Sequence, residues 1–465
     1  MELEKNPREI CTQNEQQNLS NYHTSIRKSK RLSAVMGIPK HLPTRLSISF
    51  PIWGIYDTPP GGAYHSWDKC MREHVERGFN CIRLDDGAGF MHDENGIPRG
   101  PANIVSPFPG HSRTIRQLDC TGDGGGCDLL ARLVELFEAA ASHDVYIILS
   151  SWYYLHTFWY CGDDELNDIL HRIPPHERFM YFAKALDFII CELKSRKLAD
   201  RIAFAEIFNE ADGLNFINGY GASNHLGKEE LNRFRDEHAA AIRYLRSKHP
   251  DILFAYDTYT PYTDVEQMPD NMQVWNFHSY FMWDIYALVE NRLLQEGTDV
   301  TDPAELGITR DFMNAHPVPL AEIRKSREGK LPAMQDWYRR VWLYRNLDPA
   351  KMPSLEKLFQ DKLDGEFDNY KKKICEMLAH VKKISEERCP GIPLVMGEGV
   401  SYCGSNNLLW EEHSEKYWKL LEFAVQNYKK AGLWGSVLRT CCGPEDPVWN
   451  LAPEKLLRLN KLFQG

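Results

Sequence analysis

The stretch Ala203-Phe-Ala-Glu-Ile-Phe-Asn-Glu210 decides the fold. It is apolar along most of its length and closes on a carboxylate, the pattern of a strand covered on both faces in a parallel sheet. Ile392-Pro-Leu-Val-Met-Gly-Glu398-Gly399 repeats the design almost two hundred residues later. In a closed parallel barrel such strand ends lie at one rim, where the chemistry of barrel enzymes is carried.

Outward from these two strands, strand-type and helix-type segments alternate after about residue 45, as βα units around a parallel sheet do. The remaining strands are expected at Leu46–Phe50, Asn80–Leu84, Val145–Ser150, Ile252–Tyr256, Gln273–His278 and Gly435–Arg439. With Glu210 on the fourth and Glu398 on the seventh, the count is eight, which predicts a (β/α)8 TIM barrel over 45–465. Helices are expected at 66–77, from 128, at 175–197, 228–248, 412–430 and 453–463. The rhythm breaks between strands six and seven, where about 110 residues exceed any ordinary βα connection. Residues 367–387 supply the sixth barrel helix there, and 283–353 form a helical lid insertion on the face of the two glutamates. Trp337, Tyr338, Trp342 and Tyr344 in it either stack on a ligand ring or form local core. Residues 1–44 form an N-terminal extension, packed across the barrel base or disordered.

The chain has 465 residues, 43% hydrophobic and 26% charged, with a net charge of −10. That charge, and the single basic run Arg27–Arg31, argue against a nucleic-acid partner. No stretch approaches the roughly 20 apolar residues that cross a bilayer, and the start lacks a leader's apolar region, so no membrane partner and a cytoplasmic location are expected. The 12 cysteines are irregularly spaced, as core thiols are. The vicinal Cys441-Cys442 reads as a tight loop before it reads as a redox pair.

Two carboxylates at one rim suit glycosidic chemistry, in which one acid protonates the leaving oxygen and one carboxylate attacks the anomeric carbon. Asn209-Glu210 after strand four, His278-Ser-Tyr280 after strand six, Gly397-Glu398-Gly399 after strand seven and Arg83 on strand two appear in an order that resembles the clan A glycoside hydrolases, in particular the cellulase-like family five. The resemblance covers about residues 46–460. It implies that Glu210 is the acid/base and Glu398 the nucleophile. By the same likeness Asn209 would meet the sugar 2-hydroxyl, Arg83 and Tyr280 would hold the nucleophile, and His278 would orient the acid or a hydroxyl.

The sequence departs from the family pattern where Ala211 replaces the usual proline, where Ser150-Ser151-Trp152 replaces a histidine after strand three, and where Arg439 stands near the rim in place of a tryptophan. Arg439 would receive an acidic sugar or pair with Glu445 or Asp446, the second being the commoner use of such charges. Trp53 and Trp152 are candidate sugar platforms or core, and Asp85 and Asp86 either bind hydroxyls or cap their loop.

Rival chemistries are less well served. There is no His-Glu-x-x-His, and no Gly-x-Ser-x-Gly elbow, so neither a metal nor a serine nucleophile is expected. Gly122-Asp-Gly-Gly-Gly-Cys127 precedes a helix but completes no phosphate-binding fingerprint and reads as a flexible turn. The expectation is therefore a cofactor-free retaining β-glycosidase acting on small saccharides, exo in action, of unspecified oligomeric state. Its alternatives are a non-catalytic carbohydrate-binding protein on the same barrel and a glycosidase for acidic sugars.

Overall fold

The computed structural model describes residues 37–93, 96–108, 114–116, 123–212, 227–294, 305–325, 335–401 and 404–465. The expected barrel is there. Its strands are β1 (Leu46–Ser49), β2 (Cys81–Asp85), β5 (Tyr146–Ser150), β6 (Ile202–Glu206), β7 (Phe254–Thr258), β8 (Val274–Ser279), β9 (Leu394–Gly399) and β10 (Gly435–Val437), with β3 (Ala102–Val105) and β4 (Asp123–Cys127) forming a separate antiparallel pair. The eight barrel strands close in the order β1-β10-β9-β8-β7-β6-β5-β2, and every neighbouring pair is parallel. All of β1, β2, β5, β6 and β7 is buried, as strands with helices outside and packed side chains inside must be.

The helices start where their caps say. Ser66 accepts from Lys69 N, Asp128 from Ala131 N and Ser414 from Tyr417 N, each satisfying a first-turn donor. The helix after β6 spans Lys228–Lys248, the expected range.

Two elements differ from expectation. Residues 123–127, expected as a flexible turn, are β4, which pairs with Ala102–Val105 inside the long loop after β2. Glycine lowers strand propensity, and only the partner strand makes this one. The sixth barrel helix begins at Met352 and runs unbroken to Arg388. Pro353 lies in its first turn, where a missing N–H is harmless. Leu355, Phe359 and Leu363 extend the buried stripe of Tyr370 and Ile374 by whole turns.

The insertion contains helices at Trp283–Leu294, Leu320–Lys325 and Gln335–Arg345, while 295–304 and 326–334 lie outside the described residues. Of the N-terminal extension, 1–36 with its basic run also lie outside them. The remainder packs at the barrel base: Tyr146 donates to His41 O at 2.7 Å, Trp434 Nε1 donates to Pro43 O at 2.9 Å, and Leu42 is buried.

Candidate active site

At the C-terminal ends of the strands the barrel interior turns from apolar to ionic. Arg83 on β2 is fully buried, and its guanidinium reaches Glu206 on β6 at 2.7 Å, Asp257 on β7 at 3.0 Å, Glu398 on β9 at 2.8 Å and Asn209 Oδ1 at 2.6 Å. Trp152 covers one face of it, 4.6 Å from the ring centre. Asn276 on β8 donates to Glu206 at 2.6 Å and to Asp257 at 2.7 Å. A buried charge is tolerated only when its hydrogen-bonding capacity is filled, and this layer fills it from five strands.

The backbone aims the two glutamates. Glu210 lies four residues beyond β6 at φ 47°, a left-handed conformation rare for a side chain of this size, and its N–H donates to Asp257 at 2.7 Å. Gly399 has φ 152° and Val400 φ 67°, so the chain also turns sharply after Glu398. A Cβ at Gly399 would stand 2.5 Å from Ser279 O, which is why glycine follows the glutamate. The β8–β9 register shifts between Phe277 and His278 and sets His278 opposite Glu398.

Remote in sequence, the two carboxylates converge. One oxygen of Glu210, one of Glu398 and a ring nitrogen of His278 all lie within 4.8 Å of one another. His278 Nδ1 is 2.6 Å from Glu210 Oε1, while its Nε2 is 3.1 Å from Asp257 and 3.8 Å from Glu398. Tyr280 donates its hydroxyl to Glu398 Oε2.

The titrations separate. Burial pushes the Glu210 carboxyl up to about 7, against the hydrogen bond from His278. Burial works against a charge on His278, but Asp257 and Glu398 outweigh it and raise the imidazole well above its ordinary value. Burial likewise raises Glu206, with Arg83 opposing. Asp257 is lowered, because His278 and Arg83 together overcome its burial.

A cavity of about 760 Å³ opens over this layer. Glu210, Glu398, Asn209, His278, Tyr280 and Trp152, all anticipated from the sequence, line it. Arg83 lies under its floor, touching both Glu398 and Asn209. The insertion contributes Trp283, Trp337 and Arg340. Trp337 meets His156 at 5.0 Å and Trp159 at 5.8 Å, ring centre to ring centre, and Arg340 sits over Trp337 and Trp283 while its Nε is 3.2 Å from Glu290. Burial and the neighbouring Arg340 push His156 down to about 3, so it lines the cavity as a neutral ring. Of the four aromatics singled out in the insertion, Trp337 alone lines this cavity. Trp342 donates to Val318 O, Tyr344 to Glu290, and Tyr338 packs on Phe108.

Four expected substrate contacts lie elsewhere. Trp53 is packed among Trp152, Tyr56 and Tyr160 and is not in the lining. Asp85 accepts from Tyr56 at 2.5 Å, Gly87 N at 2.8 Å and Trp152 N at 3.0 Å, so it ties the loops together. Asp86 accepts from Ala88 N, the capping use. Arg439 is buried against Glu411 at 2.5 Å and Glu412 at 2.9 Å, beside Arg116. Its ion pairs are with these two and not with Glu445 or Asp446: Glu445 accepts from Tyr64 and Asp446 from Gly443 N, and the Arg439 charge acts on Asp446 without a direct contact.

Glu206, Asp257 and Asn276 went unnoticed in the sequence. Their signal is a polar residue inside an otherwise apolar strand, as in Phe254-Ala-Tyr-Asp-Thr258 and Val274-Trp-Asn-Phe-His278.

Two side-chain groups among the described residues have the spacing of metal ligands: Glu210, His278 and Glu398, and Asp187, Cys191 and His249. In the first, Arg83 and His278 already oppose the carboxylates. In the second, Lys248 at 2.5 Å and His249 at 2.8 Å already hold Asp187.

No protein-family model matches the chain, and no curated protein matches it. Solved structures do. A putative glycoside hydrolase from Parabacteroides distasonis aligns over 91% of this chain and 94% of its own, at 18% identity and a TM-score of 0.60. A glycoside hydrolase family 5 mannosidase from Rhizomucor miehei aligns over 90% and 93%, at 11% identity and a TM-score of 0.41. A tri-modular family 5 endo-β-1,4-glucanase from Bacillus licheniformis aligns over 90% and 60%, at 14% identity and a TM-score of 0.42. At 18% identity the first likeness speaks for the fold alone, and anything finer rests on the residues of this chain.

Proposed function

We propose that this chain is a retaining β-glycosidase in which Glu210 is the acid/base and Glu398 the nucleophile. The observation that carries the reading is the approach of the two carboxylates to within 4.8 Å across an open cavity. Retaining pairs stand about 5 to 5.5 Å apart, and inverting pairs stand wider to admit a water. Glu398, as a carboxylate between Arg83 and Tyr280, attacks the anomeric carbon while Glu210 gives its proton to the departing oxygen. The bond to the leaving group breaks and a glycosyl ester of Glu398 forms. Glu210, now ionised, takes a proton from the incoming water as its oxygen attacks the same carbon. Glu398 then leaves as carboxylate and Glu210 is again an acid. Arg83 occupies Asn209 Oδ1, so the Asn209 amide NH2 remains to bind the 2-hydroxyl, a contact that tightens in the oxocarbenium-like transition state.

The insertion supports exo action on small substrates. Trp337 abuts His156 and joins two walls of the cavity, which suits a pocket better than a through-going cleft. In this reading the insertion acts as a lid through its described helices Trp283–Leu294 and Gln335–Arg345. An acidic-sugar specificity through Arg439 is not part of the proposal, since that guanidinium is engaged with Glu411 and Glu412. Among the described residues Cys70, Cys81, Cys191, Cys375, Cys389 and Cys442 are free thiols, and no helix is long and apolar enough to cross a membrane. Free thiols suit a reducing compartment, and we place the enzyme in the cytoplasm.

Proton NMR of the first product formed from a 4-nitrophenyl β-glycoside tests the assignment. The β-anomer is expected ahead of mutarotation, and Glu398→Ala abolishes turnover. An α-anomer as first product overturns retention.

A further inference from the structure

The leaving group of a glycoside departs on the side of the acid that protonates it, and on the Glu210 side of the cavity the chain does something unusual with two aromatic residues. Most of its large rings are buried, yet Tyr259 and Tyr262, three residues apart on the loop after β7, are 56% and 58% exposed while lining the cavity. Solitary exposed rings need no explanation, but a pair placed at the mouth of a pocket does.

The loop that presents them is fixed from both sides. Asp212, two residues beyond Glu210, accepts from Tyr259 N at 2.8 Å and from Thr263 Oγ1 at 2.6 Å. On the other side His380 of the helix Met352–Arg388 lies 4.6 Å from the Tyr262 ring, centre to centre, with its Nε2 3.1 Å from Pro261 O. Asp212 thus links the acid/base segment to the tyrosine loop, and rings held in place before a ligand arrives bind it at lower entropic cost. Burial and then the charge of Glu210 raise the Tyr259 phenol, which agrees with its standing beside the acid. Trp152 and Asn209 both touch Arg83, which holds Glu398, and the glycone is assigned to these residues.

We propose that Tyr259 and Tyr262 form the subsite for the leaving group, and that this group offers a flat apolar face: the ring of a second sugar or an aryl ring. The inference rests on the glycosidase reading and goes beyond it by naming what the substrate carries on its far side.

Leaving-group comparison on the full chain tests it, using a β-glycosyl fluoride, the matching 4-nitrophenyl β-glycoside and the matching β-linked disaccharide. Fluoride is too small to reach the loop. In Tyr259→Ala and Tyr262→Ala, kcat/KM for the aryl glycoside or the disaccharide should fall by roughly tenfold or more, while that for the fluoride stays within about twofold. Tyr259→Phe, which keeps the ring, should behave as the wild type. A loss confined to one of the two larger substrates assigns the subsite to that kind of ring. An equal loss on the fluoride overturns the subsite and leaves the hydrolase reading intact. A wild-type chain inert towards every glycosyl fluoride and aryl glycoside overturns both.

Discussion

Glu210 must be protonated to act as an acid, and burial holds its carboxyl at about 7, so the first chemical step should titrate with this one group. The form with Glu210 protonated is favoured below that value, and kcat/KM is expected to fall tenfold per pH unit above it. The hydrogen bond from His278 lowers the Glu210 value, so His278→Ala should carry the alkaline limb to higher pH. The same shift has a stability consequence of definite sign. The folded chain keeps a proton between the ordinary value of 4.5 and about 7 that the unfolded chain has released, so stability present below 4.5 is lost as pH rises through 7. Glu210→Gln cannot ionise. It should match the wild type in urea denaturation at about pH 4 and exceed it by at most roughly 3 kcal/mol at about pH 8. Arg439 makes the opposite case. Removing it leaves Glu411 and Glu412 buried with Arg116 as their remaining cation, and Arg439→Ala should cost about 3–5 kcal/mol. Arg439→Met with Glu411→Gln should recover part of that loss in the same denaturation assay, since it removes charge from both sides.

Glycines show how elements are fitted to the site. A Cβ on Gly397 would stand 2.3 Å from Asn276 Nδ2, and that amide is committed to Glu206 and Asp257. Gly397→Ala should therefore lower stability by about 1–3 kcal/mol, as overpacking does. It should also lower activity, because Asn276 must leave the carboxylates under the catalytic pair. Gly365, in the helix Met352–Arg388, has open space around its Cβ position. Gly365→Ala should raise stability by about 0.5–1 kcal/mol without touching the rate. The two variants in one melting series separate a glycine required by its neighbours from one that is not. The same elements explain what sequence could and could not reveal. Strands β1, β5, β8 and β9 lie within two residues of their expected bounds, because uninterrupted apolar runs between turn residues have few other uses. Strand β4 escaped because Asp123-Gly-Gly-Gly-Cys127 has no strand propensity of its own, and its pairing with residues far back in the chain is a tertiary fact. Glu210 and Glu398 were legible as carboxylates closing apolar runs. Asp257 was legible only as a polar residue in an apolar strand, which carries no sign of the four groups it joins.

Across the whole molecule, the walls of the cavity decide which bond in a chain of sugars can reach the glutamates. Trp152 and His156 come from the loop after β5, Tyr259 and Tyr262 from the loop after β7, Lys373 and Met377 from the helix Met352–Arg388, and Trp283, Trp337 and Arg340 from the insertion. Where Trp337 meets His156 and Trp159, the insertion and the β5 loop join, and this junction lies on the side of Trp152, where the glycone is placed. Among the described residues the tyrosine side has no such closure. A polymer threaded past Glu398 would have to pass through the junction, whereas a terminal sugar has only to enter from the tyrosine side. An oligosaccharide labelled at its reducing end should therefore lose one sugar at a time, the early products being free monosaccharide and labelled chains one residue shorter. Trp337→Ala removes the ring that joins the walls, and in that variant labelled products of several lengths should appear from the start. Chromatography of the labelled series reads both outcomes, and a full spread of lengths from the wild type at the earliest time points would show that the insertion does not close the glycone end.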